Sequence, residues 1–93
     1  MKTYLANAFS LQMVKAPCSV KMLEVETFPA EAESCVGHAD TAAILGVTCN
    51  RKNIILEKGD ILYVAQLQGG RLPEGTTVLP EGFSLKFIKV ELL

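Results

Sequence analysis

Apolar positions fall in short runs, and the spacing inside each run predicts extended structure for much of the chain. "TYLANAF" (Thr3–Phe9) is β-branched, aromatic and apolar, and reads as a first strand. "SVKMLEVETF" (Ser19–Phe28) alternates in part and reads as a second. "NIILEKGDILYVAQLQ" predicts a β-hairpin: Ile54–Leu56, a turn at Lys58-Gly59-Asp60, then Ile61–Gln68. The second arm is almost continuously apolar, the pattern of a strand covered on both faces. "FSLKFIKVEL" (Phe83–Leu92) is the last strand, and its apolar phase slips between Phe87 and Ile88, as a bulge or two-sided burial would require.

Helical signals are fewer. Pro29 opens "PAEAESC", whose Ala and Glu content predicts one or two helical turns with Pro in the first. Gly37 interrupts that segment, and "HADTAAIL" (His38–Leu45) predicts a second short helix, stopped by Gly46 or continuing weakly through it. Between the last two strands, Gly69–Gly82 contains "LPEG" twice. Pro at the second and Gly at the fourth position of each suggest two type I turns in one loop. The loop exceeds the usual connection length, as lids and binding loops do. The fold class expected is α+β: a single mixed sheet of about five strands with short flanking helices, in one domain spanning residues 1–93.

Composition narrows the function classes. A chain of 93 residues buries about 60–65% of the surface that its unfolded form exposes, so a second subunit is a natural way to cover more. An apolar fraction of 49% and a charged fraction of 20% describe an ordinary globular protein. A formal net charge of −1 with only two arginines, Arg51 and Arg71, argues against generic DNA binding, which needs many cationic contacts to phosphate. Three widely spaced cysteines (Cys18, Cys35, Cys49), with no CxxC pair and a single histidine, point to reduced thiols in a cytoplasmic protein and to no zinc site or other cofactor. No secretory signal or membrane-spanning run is expected.

Three places could carry chemistry. The lone histidine, His38, follows Gly37 at the start of a helix, where backbone N–H groups attract phosphate. It is also the side chain suited to proton transfer near neutral pH. A lone histidine is more commonly a surface or satisfied core residue, and both readings stand. In "GGRLPEG", Arg71 offers planar donors to a phosphate and Glu74 a partner for the arginine or for a substrate hydroxyl; the alternative is a solvated turn. "NAFS" (Asn7–Ser10) is either a strand end with local side-chain-to-backbone bonds or a set of neutral donors and acceptors for a ribose or base.

Together, "YLANAFSLQM", "GHADTA" and "LYVAQLQGGRLPEG" resemble the viral ring nucleases, small anti-CRISPR proteins of type III systems, in the family's order and over nearly the whole chain. The resemblance implies a homodimer that binds cyclic tetra-adenylate across its interface and cleaves the ring without metal, silencing the effectors of that defence. Carried over by position, it implies catalytic roles for His38, Arg71 and Glu74 and ligand contacts from Asn7, Ser10, Gln66, Arg51 and Thr41. Gln12 stands where the family often has Asn, and the stretch from His38 to Ile54 is several residues shorter than in founding members. Two other classes compete: a protein that sequesters a cyclic oligonucleotide without cutting it, and a protein-interaction module of a mobile element.

Overall fold

The computed structural model describes residues 2–15 and 17–93. Its elements, in chain order, are strand β1 (Thr3–Ala6), a 3-10 turn (Leu11–Met13), β2 (Val20–Val25), β3 (Glu33–Ser34), helix α1 (Ala39–Leu45), β4 (Ile61–Gln68) and β5 (Ser84–Leu92). The five strands form one sheet in the order β2-β5-β4-β1-β3. β1 runs parallel to both β3 and β4, whereas β5 runs antiparallel to β4 and β2. The sheet is therefore mixed, and the fold is α+β.

β4 lies inside the sheet and is covered on both faces, which explains its unbroken apolar run. On one face Tyr4, Ala6, Leu62, Val64, Val90 and Leu92 are buried beneath Ile54 and Leu56. On the other, Leu5 and Ala65 are buried with Val36 and with Ala42 of α1. β5 shows the same two-sided pattern: Ile88 packs against the first cluster and Phe87 against the second. Its pairing with β4 runs without interruption from Ser84 to Glu91, so the phase slip reflects two-sided burial, not a bulge.

Three local expectations are corrected. Pro29–Cys35 is not helical: one turn closes with Ala32 N–H donating to the Pro29 carbonyl (3.2 Å), and the chain then extends into β3. Pairing with β1, extended by the Cys35 N–H to the Leu5 carbonyl (2.7 Å), overrides the helical propensity of Ala and Glu and buries Cys35 and Val36. Ile54–Leu56 is not the first arm of a hairpin, because both edges of β4 are taken by β1 and β5. That segment instead lies over the sheet, where Leu56 bridges to Val14. The turn after it does form, with Asp60 N–H donating to the Glu57 carbonyl (2.9 Å) and Gly59 at φ 93°. The two LPEG turns are present but begin one residue later. Thr76 N–H donates to the Pro73 carbonyl and Phe83 N–H to the Pro80 carbonyl, so Gly75 (φ 79°) and Gly82 (φ 85°) occupy the third position. A third residue with positive φ fits the type II turn and not type I.

Candidate functional site

The three parallel strands end at one side of the sheet. Chain leaving β1 supplies Asn7, chain leaving β3 supplies Gly37 and His38, and chain leaving β4 supplies the loop with Arg71 and Glu74. Loops beyond the carboxyl ends of parallel strands are where open α/β sheets hold ligands, because strand order there diverges to leave a crevice.

His38 is the N-cap of α1, with extended backbone (φ −107°, ψ 119°). Its Nδ1 accepts from the Thr41 N–H at 3.4 Å, and the Thr41 hydroxyl stands 3.4 Å from the same nitrogen. The helix ends at Gly46, which takes a left-handed conformation (φ 72°), so the glycine stops it. His38 is exposed, whereas Thr41 and Ala42 are buried against the sheet.

The peptide before His38 is pinned from two directions. Asn7 Oδ1 accepts from the Gly37 N–H (3.4 Å), and Arg51 Nε donates to the Gly37 carbonyl (2.9 Å). Residues 48–51 run beside 34–37 as a strap. The Ser34 hydroxyl donates to the Thr48 carbonyl, Asn50 Nδ2 to the Ser34 carbonyl (3.1 Å), and the Asn50 N–H to the Val36 carbonyl (2.8 Å).

His38, Thr41, Arg71 and Glu74 line one cleft of about 350 Å³, together with Asp40, Leu67 and Leu72. Asn7 and Ser10 line a second cleft of about 450 Å³, with Gln12, Lys52 and Asn53 among its polar groups. Gln66 is exposed on β4 and lines neither; it shares the face of Val64, opposite Leu67. Arg51 also lines neither and touches the site through Gly37. Asp40, Lys52 and Asn53 are residues that sequence reasoning did not single out. Asp40 carried a signal within "GHADTA", as the acidic residue of the first helical turn.

The first cleft is a mixed-charge site, with two carboxylates, one guanidinium and one imidazole. Neither Arg51 nor Arg71 is engaged in an ion pair among the described residues, which leaves guanidinium donors to meet an anion. In the second cleft Lys52 pairs with Glu33 (3.1 Å). Burial, and then the Glu33 charge, push the Cys35 thiol above its ordinary range, so it stays protonated at neutral pH. Cys18, Cys35 and Cys49 are unpaired. Among the described residues, no three His, Cys, Asp or Glu side chains gather as a metal site would need, and no helix is long and apolar enough to cross a membrane.

Comparison with known proteins gives a consistent placement. B116 of Sulfolobus turreted icosahedral virus (STIV) has the same fold, with a TM-score of 0.78 over 98% of this chain and 99% of that one, at 20% sequence identity. A comparison with curated protein sequences finds no match. The family model described as STIV B116-like matches residues 3–91. The chain belongs to the STIV B116-like family.

Proposed function

We propose that this protein is a ring nuclease that binds cyclic tetra-adenylate as a homodimer and cleaves it without metal into linear di-adenylates ending in a 2′,3′-cyclic phosphate. One observation carries the proposal: the side chains of His38, Arg71 and Glu74, named from separate motifs with His38 and Arg71 33 positions apart, line a single cleft. The motif resemblance supplies the substrate, and two properties of the cleft suit it. It offers a guanidinium for phosphate and a histidine for proton transfer.

In this reaction a ribose 2′-hydroxyl attacks the adjacent phosphorus, a 2′-O–P bond forms, and the 5′-oxygen leaves with a proton. Holding the hydroxyl in line with the leaving oxygen selects the reactive conformer of a nucleophile that the ribose already tethers beside the phosphorus. Arg71 stabilises the charge that builds on the phosphoryl oxygens. His38 delivers the proton to the 5′-oxygen, a contribution of about a hundred- to ten-thousand-fold. With no second histidine in the chain, the 2′-hydroxyl is activated mainly by positioning, and its proton passes to the Glu74 carboxylate in the same cleft as the 2′-O–P bond forms and the P–O5′ bond breaks. The motif resemblance assigns ligand contacts to Asn7, Ser10, Gln66 and Arg51, which lie outside the cleft of His38. A four-membered ring on a two-fold axis meets two equal sites, and an isologous dimer builds both from one set of residues.

Incubation with cyclic tetra-adenylate in the presence of EDTA, followed by separation of products, tests the proposal. Linear di-adenylates with a 2′,3′-cyclic phosphate are expected, and light scattering should give about twice the chain mass. Tight binding without cleavage would replace the enzyme with a sequestering protein, and a monomer with and without ligand would end the shared-site reading.

A further inference from the structure

Thr41 presents two different groups to the same imidazole nitrogen. Its backbone N–H and its hydroxyl each stand 3.4 Å from His38 Nδ1. The residue is 8% exposed and forms part of the cleft wall beside the ring. The amide can only donate, whereas the hydroxyl can donate or accept.

That difference matters when the ring changes protonation state. A neutral imidazole with its proton on Nε2 accepts the Thr41 N–H at Nδ1, as in the helix cap. An imidazolium carries a proton on both nitrogens, so its Nδ1 must donate, and the amide can no longer be its partner. The Thr41 hydroxyl can accept that proton's hydrogen bond. Asp40, Arg71 and Glu74 are the charged groups on the same cleft. Among the described residues none of them forms a hydrogen bond to Nδ1.

We infer that Thr41 is a positioning residue for His38, holding Nδ1 in both protonation states so that Nε2 stays on the far side of the ring from the helix. The inference rests on the reading of His38 as the proton donor. It assigns the hydroxyl a role through the histidine in place of a ligand contact. The catalytic cycle needs such a partner. His38 gives up a proton when the 5′-oxygen leaves and regains one before the next turnover, and a ring tethered in only one state would turn away in the other.

Because His38 is the sole histidine, its ring nitrogens can be followed by NMR without assignment ambiguity and without ligand. Thr41→Val keeps the amide and the β-branch but removes the hydroxyl; Thr41→Ser restores it. The serine variant should titrate with the wild type. In the valine variant the protonation equilibrium of the ring should move about fivefold toward the neutral form, the equivalent of one hydrogen bond lost by the charged form. With cyclic tetra-adenylate as substrate, the valine variant should lose kcat at unchanged KM, whereas a lost ligand contact would raise KM. A valine variant that titrates as the wild type does, or a serine variant that follows valine, overturns the inference. Should valine not fold, Thr41→Ala makes the same comparison; failure of both beside a folded serine variant would assign Thr41 to stability alone and also overturn it. The expected NMR shift in a protein that does not cut cyclic tetra-adenylate would leave the positioning role standing and remove the nuclease reading.

Discussion

Arg51 donates through Nε to the carbonyl oxygen of Gly37, 2.9 Å away and one peptide before His38. The aliphatic stem of Arg51 lies alongside the same glycine, where a Cβ would meet its Cγ at 3.4 Å. The strap at 48–51 thus fixes the direction in which the chain leaves β3 and enters α1. Arg51→Met preserves the stem and removes the donor. We expect a stability loss of about 1 kcal/mol in urea unfolding, the net worth of one hydrogen bond. Amide NMR signals of Gly37 and His38 should shift, and unchanged signals would show that the strap does not hold them.

The cap role of His38 can be separated from its chemistry. His38→Ala removes both the imidazole and the cap acceptor, and should cost about 1 kcal/mol of stability. His38→Asn restores a good N-cap residue and should recover most of that loss. Both variants should bind cyclic tetra-adenylate nearly as the wild type does and lose about a hundred- to ten-thousand-fold in cleavage rate. Thermal melts and single-turnover kinetics on the pair check this. Wild-type cleavage by the asparagine variant would make His38 a cap and nothing more.

Gly69 sits where the loop carrying Arg71 leaves β4. Its φ is 127°, and a Cβ there would lie 2.9 Å from both the Gly82 carbonyl oxygen and the Phe83 Cα. Neither backbone atom can move aside as a side chain would. Gly69→Ala should therefore cost about 1–3 kcal/mol, through backbone strain and separation of the loop stems. It should also weaken cyclic tetra-adenylate binding, because Arg71 is two residues on. Gly70, at φ 113° with open space around it, provides the control. An equal loss in Gly70→Ala would assign the effect to backbone strain alone.

Asp60 anchors the opposite end of the sheet. The residue is 7% exposed. One carboxylate oxygen accepts from the Lys2 N–H (2.9 Å) and the other from the Glu57 N–H (3.0 Å). Asp60→Ala leaves two backbone donors without that acceptor and should cost about 2–4 kcal/mol. Asp60→Asn retains one carbonyl oxygen and should cost less. Chemical denaturation of both variants measures the difference, and an alanine variant as stable as the wild type would show that the two amides find other partners.

Much of the sheet is legible in the sequence alone. Alternation and β-branching marked β1, β2, β4 and β5, and the continuous apolar run of β4 correctly indicated a covered strand. β3 was not legible, because two residues inside an Ala- and Glu-rich segment have no pattern of their own and become a strand only by pairing with Tyr4 and Leu5. The false hairpin has a related cause. Ile54–Leu56 has strand-like residues, but the partner edge that it would need is occupied by β1.

The sequence by itself determined the local chemistry: where most of the strands lie, that the short helix meets a glycine after Leu45, that Gly and Pro punctuate the long loop, and which side chains can move a proton or meet a phosphate. Those properties belong to single residues and their near neighbours. Only the tertiary structure decided which of them meet. It brought His38, Arg71 and Glu74 to one cleft, sent Asn7 and Ser10 to another, gave Arg51 the Gly37 carbonyl, and left Gln66 on the far face of β4. Strand order, parallel pairing and register set those distances, and they arise from contacts between residues far apart in the chain, which no local spacing encodes.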